Sequence, residues 1–294
     1  VIFQEPAVEY SCSAPGRILR DIQERCSRIR EPGGMTKSAV SPFRGMAVVQ
    51  ETLLALKNLF LPAFCRNCGI RILSEENLHF CADCWSSIEL VQEPKCPRCG
   101  RPHPVRIGFE PAENFVCAEC ASQKQWVERT YAAGLHTGVL RDAIHLLKYQ
   151  KKRLLAEPLA RLLFAAVAAK LDFESYDLLV PVPLHRKRQK ERGYNQSELV
   201  GMHLCRLQAE AKLAPVLKRV KDTPNFTLLG ASERQSLIQK AFQVVAEADV
   251  RKKRILLLDD VVTTGATANE CARTLRRKGA TTVDVISLAV AGRL

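Results

Sequence analysis

An apolar run, Arg254-Ile255-Leu256-Leu257-Leu258, leads into two adjacent acids, Asp259 and Asp260, and then into Val261-Val262-Thr263-Thr264-Gly265-Ala266-Thr267. The order suits one chemistry. Amides and threonine hydroxyls at a helix N-terminus make a pocket for a dianionic phosphate, and Gly265 lets the backbone come close. Carboxylates at the C-terminal end of a buried strand can accept hydrogen bonds from vicinal hydroxyls, and ligands of open α/β sheets sit at that end. Acids that merely cap the helix are the plainer alternative.

A second constellation is Val180-Pro181-Val182-Pro183-Leu184-His185-Arg186, followed by Lys187-Arg188-Gln189-Lys190-Glu191-Arg192 and Gly193-Tyr194-Asn195-Gln196-Ser197. Residues 186–192 hold five basic side chains and one acid. Such a cluster could stabilise charge on a leaving pyrophosphate or contact a nucleic-acid backbone, or it could be a solvated face.

Eight cysteines form four Cys-x-x-Cys pairs: Cys65/Cys68, Cys81/Cys84, Cys96/Cys99 and Cys117/Cys120. Two thiolates separated by two residues turn back onto one ion, and two pairs complete a tetrahedral Cys₄ site. Structural Zn²⁺ is the expectation, with disulfides, a redox pair or an iron–sulfur cluster as alternatives. Gaps of 12 and 17 residues, Cys68 to Cys81 and Cys99 to Cys117, suit sequential ribbons, and interleaved pairing stays open. Glycine after Cys68 and Cys99 suits a knuckle turn. His79 and His103 are expected to be solvated.

The elements that must position these groups alternate in type. Strands are expected at Tyr131–His136, Asp177–Val182, Phe242–Val245, Arg254–Leu258 and Thr282–Leu288. Helices are expected from Thr137, over Pro158–Lys170 and Ser197–Gln208, and between the last two strands with Ala268, Cys271, Ala272 and Leu275 on one face. The fold class is therefore α/β, a mainly parallel sheet flanked by helices, with a small N-terminal zinc-ribbon module. Residues 1–48 read as a flexible extension, 49–125 as a helix (Val48–Phe64) plus a double zinc ribbon, and 126–294 as the α/β domain.

The net charge of +13 lies almost wholly in the C-terminal part. Residues 1–130 carry 16 Lys/Arg against 15 Asp/Glu, and residues 131–294 carry 28 against 16. A phosphate-rich partner should meet that part. No apolar run reaches the roughly 18 residues of a membrane span, and no signal peptide is readable. A soluble, cytoplasmic protein is expected.

The run around Asp259 and Asp260 resembles the phosphoribosyl pyrophosphate signature of type I phosphoribosyltransferases. That resemblance implies that Asp259 and Asp260 hold the ribose hydroxyls and that Thr263, Thr264, Gly265, Ala266 and Thr267 hold the 5′-phosphate. It also implies that Mg²⁺ accompanies the ligand, and that the loops with Pro183, Leu184, His185, Arg186 and Arg192 grip pyrophosphate. Thr263 stands where some purine-salvage members carry a third acid, which weighs against that reaction. The ordered set of paired cysteines, Pro-Val-Pro-Leu, Arg-Gly-Tyr-Asn-Gln and Asp-Asp-Val-Val-Thr-Thr-Gly-Ala-Thr resembles the ComF family over about residues 50–294, with Asn225 and the segment from Arg234-Gln235 to Phe242 also matching. The resemblance implies natural transformation, single-stranded DNA and competence proteins as partners. Two functions follow: a phosphoribosyltransferase, or a non-catalytic DNA-handling protein with a regulatory pocket. Aromatic residues are sparse, and Tyr149 and Tyr194 are the candidates for base stacking.

Overall fold

Nine consecutive residues, Arg254–Val262 (β7), form the central strand of the protein. The structure is a computed structural model that describes residues 62–73, 77–104, 112, 114–208, 211–222, 237–246 and 248–292. The expected extension, most of the expected N-terminal helix, Asn225 and Arg234-Gln235 lie outside these residues.

The other elements follow in chain order. Two short strands, Ala63–Phe64 (β1) and Arg71–Ile72 (β2), and two short helices, Ala82–Ser86 (α1) and Ala118–Ala121 (α2), belong to the cysteine region. Phe64, expected to close a helix, is thus in a strand. Next come Thr130–Leu135 (β3), Gly138–Tyr149 (α3), Ala156–Val167 (α4), Leu178–Pro181 (β4), Arg186–Arg192 (α5) and Gln196–Leu207 (α6). A hairpin of Leu217–Arg219 (β5) and Phe242–Val244 (β6) precedes β7, and Ala266–Arg277 (α7) and Thr282–Val290 (β8) complete the fold.

The main sheet has the order β3-β8-β7-β4 with every pair parallel. Beyond β4 a bridge from Leu179 to Leu213 extends it by one more parallel contact. Because side chains alternate along a strand, Ile255 and Leu257 face α7 and join the core of Ala268, Cys271, Ala272 and Leu275. Leu258 faces the other way, toward α6, where it lies under Gly201. The strands read as continuous apolar runs because both faces are covered.

Two expectations are corrected. The strand expected to stop at Leu258 continues to Val262, because β8 keeps pairing with it (Asp259 with Ser287, Val262 with Val290) after β4 has ended opposite Leu258. The basic stretch read as a loop is the helix α5. Its residues are strong helix formers, and it ends at Gly193, whose φ is 82°. Having no buried residue, it has no apolar period to read.

The cysteine region is not a loose appendage. Val91 N donates to Ala133 O (3.1 Å) and Leu135 N to Glu89 O (2.8 Å), so Glu89–Val91 pairs along the outer edge of β3. Thr130 N donates to Pro97 O (2.8 Å) and Thr130 Oγ1 to Arg98 O (2.7 Å). An edge strand that would otherwise expose its amides is covered in this way. No helix of the described residues is long and apolar enough to cross a membrane.

Candidate functional site

Asp259 and Asp260 sit where β4 departs and β7 continues, and both are buried, at 9% and 6% exposure. The connection after β4 runs to α6 on one face, while that after β7 runs to α7 on the other. This is the switch point at which open α/β sheets bind ligands.

As neighbours on a strand, the two acids leave on opposite faces. On the α3 and α6 side, Asp260 Oδ1 meets Lys148 Nζ at 2.6 Å, and its Oδ2 accepts from Gln196 Nε2. Gln196 Oε1 accepts in turn from Arg192, whose guanidinium lies 5.3 Å from the Tyr149 ring centre. Asp259 lies toward Cys271 and Arg219, and its Oδ1 accepts from Asp260 N (2.9 Å). Burial and the neighbouring Asp260 push the Asp259 carboxyl up to about 7, against the pull of Lys148 and Arg219. Arg219 is lowered by burial and by Arg188.

The loop beyond is open. Thr263 is exposed and Thr264, Gly265, Ala266 and Thr267 are half-buried. Gly265 has φ 75°, ψ 0°, and a Cβ there would meet nothing within 4 Å. The left-handed backbone requires glycine, and the clear space means the requirement is conformational. Ala266 N reaches Thr264 Oγ1 at 3.4 Å. The first turn of α7 thus opens at the same strand end as the two acids, and helix N-termini favour anions.

Pro183, Leu184, His185 and Arg186 follow the end of β4. Pro183 is buried, Leu184 and His185 are partly so, and Arg186 is exposed at the start of α5. His185 Nδ1 lies 3.4 Å from Asp222 Oδ1, and Asn195 Nδ2 donates to Val182 O (3.0 Å). Tyr194 is anchored: its hydroxyl donates to Leu147 O, and the Arg153 guanidinium covers its ring at 4.7 Å.

The eight cysteines gather as two tetrads, Cys65/Cys68/Cys81/Cys84 and Cys96/Cys99/Cys117/Cys120, each with its sulfurs within 4.8 Å of one another. Pairing is sequential. The Cys68–Cys81 and Cys99–Cys117 sulfur separations are 3.6 and 3.9 Å. Sulfurs placed tetrahedrally 2.3 Å from zinc would lie about 3.8 Å apart, so the donor sets fit the ion. Burial opposes ionisation of Cys65, but backbone groups of Cys68, Cys81 and Asn67 bring its thiol down to about 6. Asn67 donates to Cys84 Sγ (3.2 Å) and Arg101 to Cys99 Sγ (3.4 Å), orienting the ligands from outside. One expectation fails. His103 is not solvated but buried, with Nε2–H donating to Phe115 O (2.9 Å), because its ring fills the second ribbon against Phe115.

Comparison with known proteins places the chain. The double zinc ribbon domain family matches residues 56–121, and the uracil phosphoribosyltransferase family matches residues 127–292. Competence protein F of Haemophilus influenzae is 32% identical over 220 residues, 71% of this chain and 96% of its own. The chain belongs to the ComF family. Another relative is competence protein ComFC of Bacillus subtilis, 30% identical over 68% of this chain and 78% of its own. A DNA utilization protein, YhgH of Escherichia coli K12, is 29% identical over 77% and 96%. A purine phosphoribosyltransferase structure from Pyrococcus horikoshii overlays 45% of this chain and 73% of its own, at 17% identity and a TM-score of 0.29, too slight a likeness to bear on the fold.

Within this family member, sequence motifs reached the acids, the loop and Arg192, but not the groups that hold them. Lys148 lies in the last turn of α3, outside any motif. His136 follows β3 and is lowered chiefly by burial, with Lys148 lowering it further and Asp260 opposing. Gln196 sat inside a quoted motif without a role. The amphipathic helix from Thr137 was visible, and its last turn at a strand end was the available signal for Lys148.

Proposed function

We propose that the chain binds 5-phosphoribosyl 1-pyrophosphate or a related phosphoribosyl ligand, with Mg²⁺, in a protein that serves DNA uptake. One observation carries the pocket: two buried, adjacent carboxylates and an open loop with a left-handed Gly265 share the C-terminal end of β7. In this reading Asp259 and Asp260 accept from the ribose hydroxyls, and the amides and hydroxyls from Thr263 to Thr267 hold the phosphate. Mg²⁺ would come with the pyrophosphate. It would neutralise phosphate oxygens.

The C-terminal end of β4 is the natural place for the pyrophosphate. Pro183 and Leu184 shape the turn, and His185, Arg186 and Arg192 supply donors and positive charge. In a transferase, an acceptor nucleophile would bond to C1 as the bond from C1 to pyrophosphate breaks, with that charge stabilising the leaving group. The DNA role is supported by the names of the relatives and by the positive charge of residues 131–294.

Calorimetric titration of the ligand with Mg²⁺ into wild type and into Asp259→Asn/Asp260→Asn tests the pocket. Binding by wild type and none by a folded double variant is expected. No binding by wild type would leave DNA handling as the function and the pocket without a ligand.

A further inference from the structure

Two clefts adjoin at Gln125 and Trp126. The first, of about 300 Å³, runs from Thr264–Ala266 along α7, past Lys240 and Arg273, to Lys124 and Trp126. The second, of about 400 Å³, continues from Trp126 to Arg98 of the second ribbon, Arg129 and Arg276. Both clefts lie by the seam between ribbon and sheet and share Gln125 and Trp126 as wall residues, so we read them as one groove with Trp126 between its two halves.

Charge sets what the groove can hold. Lys124, Lys240, Arg273, Arg98, Arg129 and Arg276 line it against Glu119, Glu128 and Glu270. Each acid already has a cation: Glu119 has Arg101 (2.5 Å), Glu270 has Arg273 (2.5 Å) and Glu128 has Arg276 (3.3 Å). Lys124, Lys240, Arg98 and Arg129 stand outside these pairs, and they lie on both sides of Trp126.

The ring is held in place. Asn269 Oδ1 accepts from Trp126 N (2.6 Å) and Asn269 Nδ2 donates to Lys124 O (3.1 Å), fixing this segment to the first turns of α7. Trp126 packs partly against the core, and Lys124 Nζ lies over the ring 4.8 Å from its centre. Lys124 is exposed and can give way to a base. Tyr194 offers no such face, because Arg153 both covers it and is tied to Gly193 O (3.2 Å).

We propose that this groove binds single-stranded nucleic acid, with a base stacked on Trp126 and phosphates on Lys124, Lys240, Arg98 and Arg129. Cations flanking one aromatic ring in two joined clefts fit a chain better than a single nucleotide. A duplex would present no unstacked base to the ring. The proposal rests on the DNA-handling role above but not on phosphoribosyl binding.

The test titrates oligothymidylate into the full-length, zinc-loaded protein carrying Trp85→Phe, which leaves Trp126 as the reporter. Quenching of its fluorescence is expected. Lys124→Glu/Arg129→Glu, both at exposed positions, should weaken binding at least about tenfold and lower the salt slope by about 1.4, or about 0.7 per lost phosphate contact. Read by the anisotropy of a fluorescein-labelled oligothymidylate, Trp126→Leu should weaken binding roughly tenfold while Trp126→Phe retains most of it. The first cleft shares Thr264–Ala266 with the phosphoribosyl loop, so the control is Arg129→Glu alone, which lines only the second cleft and should leave phosphoribosyl pyrophosphate calorimetry unchanged. Wild-type affinity in both the charge variant and Trp126→Leu would overturn the proposal. So would absence of DNA binding by wild type, or equal affinity for thymidine monophosphate, which would mark a small-molecule pocket instead.

Discussion

Lys148 Nζ lies 2.6 Å from Asp260 Oδ1, with the two side chains 18% and 8% exposed. The last turn of α3 thus supplies the counter-charge for an acid at the end of β7. Removing Lys148 leaves the carboxylate with Gln196 alone, and a buried charge stripped of its partner costs about 3–5 kcal/mol. Slight exposure of Lys148 lowers the expectation for Lys148→Met to roughly 2–3 kcal/mol. The same change in an Asp260→Asn background should cost less than about 1 kcal/mol. Denaturant unfolding of the four proteins measures the difference, and equal costs in both backgrounds would show that the pair contributes nothing.

Asp259 should make stability fall as pH rises. Its carboxyl is pushed up to about 7 in the folded protein, by burial first and then by Asp260, whereas an unfolded aspartate titrates near 3.9. Between those values the unfolded chain has lost a proton that the folded one keeps, so stability declines over roughly pH 4–7 and levels off above. Asp259→Asn should remove this slope and be the more stable protein at pH 8, by on the order of 2–4 kcal/mol. Thermal unfolding across that range checks the sign. A ligand that needs the ionised carboxylate should release about one proton when bound near pH 6, which calorimetry in buffers of different ionisation enthalpy would detect.

Much of this was written locally in the chain. The spacing of the cysteine pairs anticipated both tetrads, because a metal site built from near neighbours depends on local turns. Ala268, Cys271, Ala272 and Leu275 were legible as one buried face because helical period records burial. The helix α5 was missed because nothing in Arg186–Arg192 is buried, so the sequence carries propensity without a pattern. Lys148 with Asp260, and Glu89–Val91 along β3, join segments far apart in the chain. Such contacts leave no spacing to read. His103 was misjudged for the same reason, since its carbonyl partner Phe115 is fixed by the second ribbon's fold.

Metal removal should propagate into the sheet from one tetrad more than from the other. Pro97 and Arg98, inside the second tetrad, bond Thr130 at the start of β3. Cys96 is fully buried, and Cys96→Ser should drop zinc content from two ions to one and expose the β3 edge. Hydrogen exchange at Thr130 should rise by at least about tenfold, which corresponds to about 1.4 kcal/mol of lost protection. Cys68 is exposed and its tetrad lies against the β1–β2 hairpin, so Cys68→Ser should lose one ion with little change at Thr130. Equal exchange at Thr130 in the two variants would show that the ribbon does not support the edge.

The basic helix and the groove around Trp126 should separate by ligand. Lys187→Ala/Arg188→Ala/Lys190→Ala keeps good helix formers in α5, so the fold should survive. The helix begins just beyond Pro183–His185 at the end of β4, beside the acids, while the groove cations lie along the ribbon seam and α7. The triple variant should therefore weaken phosphoribosyl pyrophosphate binding roughly tenfold, with a smaller dependence on salt. Oligothymidylate affinity and its salt slope should stay as in wild type. If the DNA slope instead drops by about 2, or about 0.7 for each of three lost contacts, α5 belongs to the DNA path and the two sites are one surface. Titrations of both ligands at two salt concentrations decide between these arrangements.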